Sequence, residues 1–223
     1  MQFNEQELQV LKNFAMIHQS MVIQPTGVKV INTAKSCIGM YNFETPYDFP
    51  EFGVYEMHEF LSYLSAFKNP NITVQDMKVV INEGTAKVTY FTTAKDLLPV
   101  AKDVTSKFVN LPIDMDFIFP QEKMTMLLKM ASLLKAEFIF FESVDDGKIR
   151  ITVGDKLESS NNTWEVTLDS DITVSTATEA VRCSVSELRL LVCDYHVKIT
   201  KGISLWVGTN KVKYFVGMVA NKK

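Results

Sequence analysis

Apolar positions along the first eighteen residues recur at helical spacing. Leu8, Leu11 and Ala15 form a stripe flanked by Phe14 and Ile17, while Glu5, Gln9 and Lys12 fall on another face. Asn4 followed three residues later by Glu7 makes a capping box, which predicts that the helix starts there. Short β-branched or alternating runs follow at residues 21–24, 27–33 and 37–43, with Pro25-Thr26-Gly27 as a turn. The pattern then returns: a strand-like 54–57, a helix over 58–67 with Phe60, Leu61 and Leu64 on its apolar face, and strands at 72–74, 78–81 and 86–91. Asn69-Pro70-Asn71 ends that helix, because proline disfavours helical geometry in the residue before it. Asn82-Glu83-Gly84-Thr85 reads as a hairpin turn.

Residues 92–112 lose this periodicity and contain Pro99 and Pro112, which marks a connector between two domains, 1–110 and 111–223, with the boundary at 106–110. The second half repeats the plan. A strand at 115–119 precedes a helix over 121–136, with Met124, Leu127, Leu128, Ala131 and Leu134 on its apolar side and Thr125, Lys129 and Ser132 elsewhere. Strands follow at 138–143, 148–153 and 164–168, with Asp145-Asp146-Gly147 as a turn. A fourth unit has a strand at 181–185, a helix over 187–193 capped by Ser186, and strands at 197–200, 204–207 and 213–219. Four copies of one strand–helix–strands order, two per half, predict an α+β fold of two similar domains with antiparallel sheets.

Composition narrows the chemistry. The 223 residues carry 23 Lys+Arg against 26 Asp+Glu, a formal charge of −3, which excludes a uniformly basic nucleic-acid coat but not a local one. At 47% hydrophobic the chain can bury a core, yet it holds no uninterrupted apolar run of about 18 residues to cross a bilayer. Cys37, Cys183 and Cys193 are too few and scattered for a disulfide framework and read as buried thiols of a reducing compartment. Phosphate-loop, dinucleotide, nucleophile-elbow and zinc-protease motifs are all missing. His18, His58 and His196 sit in different units, and Asp114-Met115-Asp116, Asp145-Asp146 and Asp169-Ser170-Asp171 read as solvated acids at strand ends. Met115, Met124, Met126 and Met130 around the third helix suit either core filling or a sticky groove. We therefore expect no catalytic residues, no metal and no cofactor. The alternative is a small soluble α+β enzyme or ligand-binding protein with an unrecognised site.

One resemblance supplies a function. Val10-Leu11-Lys12-Asn13-Phe14-Ala15-Met16-Ile17 with Met21-Val22-Ile23, then Leu127-Leu128-Lys129, Asp146-Gly147-Lys148-Ile149 and the closing Tyr214-Phe215-Val216-Gly217-Met218-Val219, resemble the DNA polymerase sliding clamp, or processivity factor, of T-even-type bacteriophages. The resemblance implies the clamp fold and a homotrimeric ring whose helices line a hole threaded by duplex DNA. It implies an ATP-dependent clamp loader and the replicative DNA polymerase as partners, with late-transcription factors in addition, in the cytoplasm of an infected bacterial host. Lys12 and Lys129 match basic positions of that family, and Lys123, Lys135, Arg189 and Lys68 are further DNA-facing candidates on or beside predicted helices. Ser132 departs from it, standing where a second basic residue is expected. Partner peptides of the family dock in an apolar pocket, for which Leu97, Leu98, Pro99 and Val100 of the connector and Tyr214, Phe215 and Met218 of the closing strand are candidates; plain core is the other reading of these residues.

Overall fold

A computed structural model describes residues 1–144, 147–155, 162–169 and 180–220. The chain divides into two compact units, Met1–Lys102 and Asp103–Lys223. The division falls ahead of residues 106–110. A one-turn helix, α3 (Thr105–Phe108), counts with the second unit, where Phe108 packs edge-on against Phe215.

In the first unit, α1 (Glu5–Ile17) is followed by β1 (Met21–Gln24), β2 (Gly27–Ile31), β3 (Cys37–Asn42) and β4 (Phe52–Val54), then α2 (Met57–Ser65) and β5 (Asn71–Gln75), β6 (Lys78–Glu83) and β7 (Ala86–Phe91). Two antiparallel arrangements result, in the orders β4-β1-β2-β3 and β5-β6-β7. The capping box forms as the spacing predicts: Glu7 N–H donates to Asn4 Oδ1 at 2.8 Å and Asn4 N–H to Glu7 Oε2 at 2.8 Å. Glu7 is nevertheless only 2% exposed, because the Tyr47 hydroxyl also donates to its carboxylate at 2.6 Å. Burial, then Glu7, pushes the Tyr47 hydroxyl well above the usual phenol range. From Phe3 through Phe43, Tyr47, Phe49, Phe52 and Phe60 to Tyr90, rings meet at 5.2–6.1 Å and tie the N-terminus to the second sheet.

In the second unit, β8 (Met115–Phe119), α4 (Gln121–Leu134), β9 (Phe138–Val144), β10 (Lys148–Gly154), β11 (Trp164–Asp169) and β12 (Val181–Ser184) precede β13 (Tyr195–Ile199), β14 (Ile203–Gly208), β15 (Lys213–Gly217) and β16 (Val219–Ala220). Their orders are β15-β14-β13-β8 and β11-β10-β9-β12-β16, again antiparallel. Trp206 sits between Phe119, Phe141 and Tyr195, so side chains from both sheets meet in one core. The element order strand–helix–strands therefore appears in both units, and the predicted α+β class with antiparallel sheets is the observed one.

Two helix assignments need correction. The helix expected over 187–193 does not form: a single 3-10 turn, Val185–Glu187, is capped by Ser184, whose oxygen accepts from Ser186 N–H, not by Ser186 itself. Leu188 and Leu190 are both buried, a spacing of two that an extended segment meets and a helix cannot. The backbone of Leu191 is held by side chains instead, its N–H donating to Tyr214 Oη at 3.2 Å and its carbonyl accepting from the Tyr195 hydroxyl. The third predicted helix, 121–136, ends earlier, at Leu134, because Lys135 turns into the left-handed region at φ 53° and caps it.

Candidate nucleic-acid interface and partner cleft

The exposed side of each helix is the one its apolar stripe leaves free. On α1 it carries Glu5, Gln9, Lys12 and Met16, and on α4 it carries Glu122, Thr125, Met126, Lys129, Ser132 and Leu133. Lys12 and Lys129 therefore project from helices into solvent as expected. Lys123 lies on the flank of α4, half-buried, with its Nζ 3.6 Å from Glu122. Lys135, Lys68 and Arg189 are exposed but stand off the helices: Lys135 is the cap of α4, Lys68 lies beyond α2 with its N–H donating to Glu83 Oε2 at 3.1 Å, and Arg189 sits between two buried leucines on the extended segment after the 3-10 turn. What begins α4 was not legible locally. Pro120 offers no side-chain cap, and Asp194, 73 residues away, accepts the Gln121 N–H at 2.7 Å.

The seven candidates for a partner pocket separate. Tyr214, Phe215 and Met218 are buried, and Tyr214 has 0% exposure, so for these three the core reading holds. Phe215 and Val216, consecutive on β15, are both buried on opposite faces, Phe215 against Phe108, and the register of β15 against β14 sets Trp206 opposite Tyr214. Leu97 is 78% exposed, Pro99 and Val100 are exposed as well, and Leu98 is buried. Within the first unit, Leu98, Pro99, Val100 and Ala101 face a cleft of about 310 Å³ whose opposite wall is Val22, Gln24 and Lys29, with Glu51 and Lys95 at the side. Val22, Gln24 and Lys29 are the half-exposed positions that alternate with buried Met21, Ile23, Val28 and Val30. Alternation in the sequence identifies that outer face; only the fold shows that the connector crosses it.

The connector is clasped there. Lys95 Nζ pairs with Glu51 Oε1, Gln24 Nε2 donates to Glu51 Oε2 at 3.2 Å, and Thr93 N–H donates to Gly53 O at 3.0 Å. Lys95, then Gln24, holds the Glu51 carboxyl below its ordinary range, and Glu51 raises the Lys95 ammonium. The clasp is thus intact above the usual carboxylate range and is lost as pH falls through the lowered Glu51 value. Gly53 permits the approach, since a Cβ there would lie 2.4 Å from Thr93 O and 2.8 Å from Leu98 Cδ1. We expect Gly53→Ala to cost about 1–3 kcal/mol, as overpacking does, and to lift the connector. Urea unfolding and limited proteolysis at 94–101 should both register it; unchanged nicking would mean the connector is not held by this contact.

Asp116 corrects the solvated-acid reading. It is buried, with Oδ1 taken by His196 Nε2 and Oδ2 3.3 Å from Lys198 Nζ, so its charge is matched from the neighbouring strand. Asp145-Asp146 and Ser170-Asp171 lie outside the described residues. Among the described residues no group of three or more His, Cys, Asp and Glu side chains is placed to hold a metal ion, and no helix is long and apolar enough to cross a membrane.

Two units with the same strand–helix–strands order, antiparallel sheets, and helices that expose one face each make up the fold of DNA sliding clamps. The structure is similar to PCNA from Thermococcus kodakaraensis, with a TM-score of 0.68 at 10% identity, covering 98% of each chain. It is also similar to the DNA polymerase III subunit beta of Pseudomonas aeruginosa, with a TM-score of 0.66 at 15% identity, covering 98% of this chain and 64% of that one. No family model matches the sequence. The sequence is 29% identical over 232 aligned positions to the sliding clamp of Vibrio phage KVP40, covering 99% of this chain and 100% of that protein. By fold and by likeness along its whole length the chain is similar to a sliding clamp of the bacteriophage kind.

Proposed function

We propose that three copies of this chain close head to tail into a ring around duplex DNA and tether the replicative DNA polymerase. In this reading the ring is non-enzymatic, a separate ATP-dependent loader opens it, late-transcription factors are further partners, and the work is done in the cytoplasm of the infected host. The observation that carries it is the coincidence of the clamp fold with full-length similarity to a phage sliding clamp. Lys12 and Lys129 are its DNA-facing cations, joined by Lys123, Lys135, Arg189 and Lys68, because contacts that hold without reading sequence go to phosphates. The partner cleft is the one beneath the connector, with Pro99 and Val100 as its exposed apolar side chains; Leu97 is exposed but does not line it.

Self-association calls for open sheet edges, and among the described residues two of matching length support it. β7 ends the order β5-β6-β7 and β11 ends the order β11-β10-β9-β12-β16, each six residues long without proline or glycine. The opposite edge, β5, is partly covered, since Ile72 N–H donates to Met1 O at 2.8 Å. Long uncovered edges are what monomeric proteins avoid. Phe91 at the end of β7 is 75% exposed and stands beside exposed Met77, as an apolar contact zone does before a partner covers it.

The test is retention on nicked circular DNA against the same DNA linearised. A clamp stays on circles and slides off free ends; equal loss from both would remove encirclement. Charge reversal at both Lys12 and Lys129 to Glu should cut processive synthesis by about tenfold or more while leaving the trimer intact, since it replaces attraction with repulsion at each phosphate approach. Unchanged processivity would withdraw these two residues from the DNA-facing set.

A further inference from the structure

Resting on the partner-cleft reading proposed above, we infer that Leu98 is a built-in occupant of that cleft. It sits in a notch of the sheet, and a partner's large apolar side chain takes its place when the connector lifts. The notch is a missing side chain. Val22 on β1 stands opposite Gly53 on β4 and opposite Lys29 on β2, so these three positions form one row across the outer face. Gly53 ends the row without a Cβ, and Leu98 fills the space: a Cβ on Gly53 would lie 2.8 Å from Leu98 Cδ1. Leu98 is 6% exposed, whereas Leu97 and Val100 are 78% and 67% exposed, so the connector turns one large apolar side chain inward.

Little holds it there. Beyond Thr93, among the described residues, the one hydrogen bond or ion pair from 94–101 to the rest of the unit is that of Lys95 with Glu51. The bonds of Leu97 N–H to Ala94 O and of Leu98 N–H to Lys95 O stay within the connector. The Lys95 and Glu51 side chains are 54% and 33% exposed, and ion pairs so open to water stabilise little. Leaving the notch therefore costs mainly the burial of one leucine, and an incoming apolar side chain restores that burial in the same place. Leu98 thus competes with the partner, and the fraction of molecules with Leu98 out of the notch scales the partner's apparent affinity.

The probe is N-phenyl-1-naphthylamine, an uncharged dye that fluoresces in apolar surroundings, titrated into the whole chain. Val22→Glu, at a half-exposed position, should abolish the cleft's share of the signal. Leu98→Ala should tighten dye binding at least about fivefold, because it empties the notch and leaves Val22 and Pro99 in place. Glu51→Gln and Lys95→Gln remove opposite charges, yet each should tighten binding about twofold or more with Leu98 intact, as loss of a shared latch does. These two partly exposed positions keep the inference falsifiable should Leu98→Ala unfold, which urea unfolding would show. Absent, weaker or unchanged binding in folded Leu98→Ala would make Leu98 a wall that partners touch, overturning the inference and leaving the cleft reading in place. Tightening in fewer than both charge variants would also overturn it. A signal untouched by Val22→Glu would place the dye elsewhere and remove the cleft reading together with the inference.

Discussion

Thr89→Pro in β7 is expected to convert the proposed trimer into a monomer of 25.3 kDa without unfolding the first unit. The reason lies in the ladder. β6 and β7 are joined by a two-residue turn, with Glu83 opposite Ala86 and Gly84 at φ 58°, and Thr92 N–H donates to Met77 O beyond the other end. In an antiparallel pair, hydrogen-bonded and non-hydrogen-bonded residues alternate, so Val88 and Tyr90 bond to β6 while Lys87, Thr89 and Phe91 aim their backbone groups at the open edge. Proline at Thr89 removes a donor that only an incoming strand would use, and exposed edges tolerate proline. Sedimentation equilibrium should show loss of the species of three times the chain mass, with the far-UV signal kept. A trimer of unchanged stability would mean that β7 is not a subunit edge. Phe91→Asp should act in the same direction, by placing a charge where the apolar contact is expected.

The largest stability loss is expected at Trp206. Its indole is 0% exposed and meets Tyr195, Phe119 and Phe141 with ring centroids 5.8, 5.9 and 6.1 Å away. Its Nε1–H donates to Ser204 Oγ at 2.9 Å, and Ser204 in turn donates to the Val216 carbonyl at 3.2 Å, linking β14 to β15 inside the core. Trp206→Ala leaves a cavity and strips a buried hydroxyl of its donor, so about 3–5 kcal/mol should be lost in urea unfolding. Trp206→Phe keeps most of the ring packing and should cost about 1–3 kcal/mol, chiefly for the hydrogen bond that Ser204 Oγ no longer accepts. A loss below about 1 kcal/mol for the alanine variant would mean that neighbouring rings collapse into the space.

Both substitutions act on features that differ in how visible they are in the sequence. β6 and β7 and the turn between them were legible, since alternation and Gly84 are local properties. So was α1, where Asn4, Glu7 and the apolar stripe agree with one another. The segment after β12 reads wrongly as a helix: the buried pair Leu188 and Leu190 fits an extended run. The bonds of Tyr195 and Tyr214 to the Leu191 backbone, which hold it extended, come from residues outside the segment. The start of α4 depends on Asp194, and no periodicity within 121–134 reports a cap supplied from 73 residues away.

The candidate site divides in the same way. Lys12 and Lys129 could be placed on exposed helix faces from their spacing alone, because a helix stripe fixes which side its neighbours leave free. Burial of Tyr214, Phe215 and Met218 could not, since an apolar strand reads alike in a core and at the lip of a groove until its neighbours are known. The wall of the cleft, Val22, Gln24 and Lys29, acquires its meaning only when Gly53 and Glu51 bring the connector across it. Local patterning by itself determined the elements other than the fourth helix, the order in which they follow and the face each remaining helix turns outward. Tertiary packing alone decided which apolar residues are core, which acid is buried against His196 and Lys198, and which strands remain as open edges, because each of these depends on residues distant in the chain.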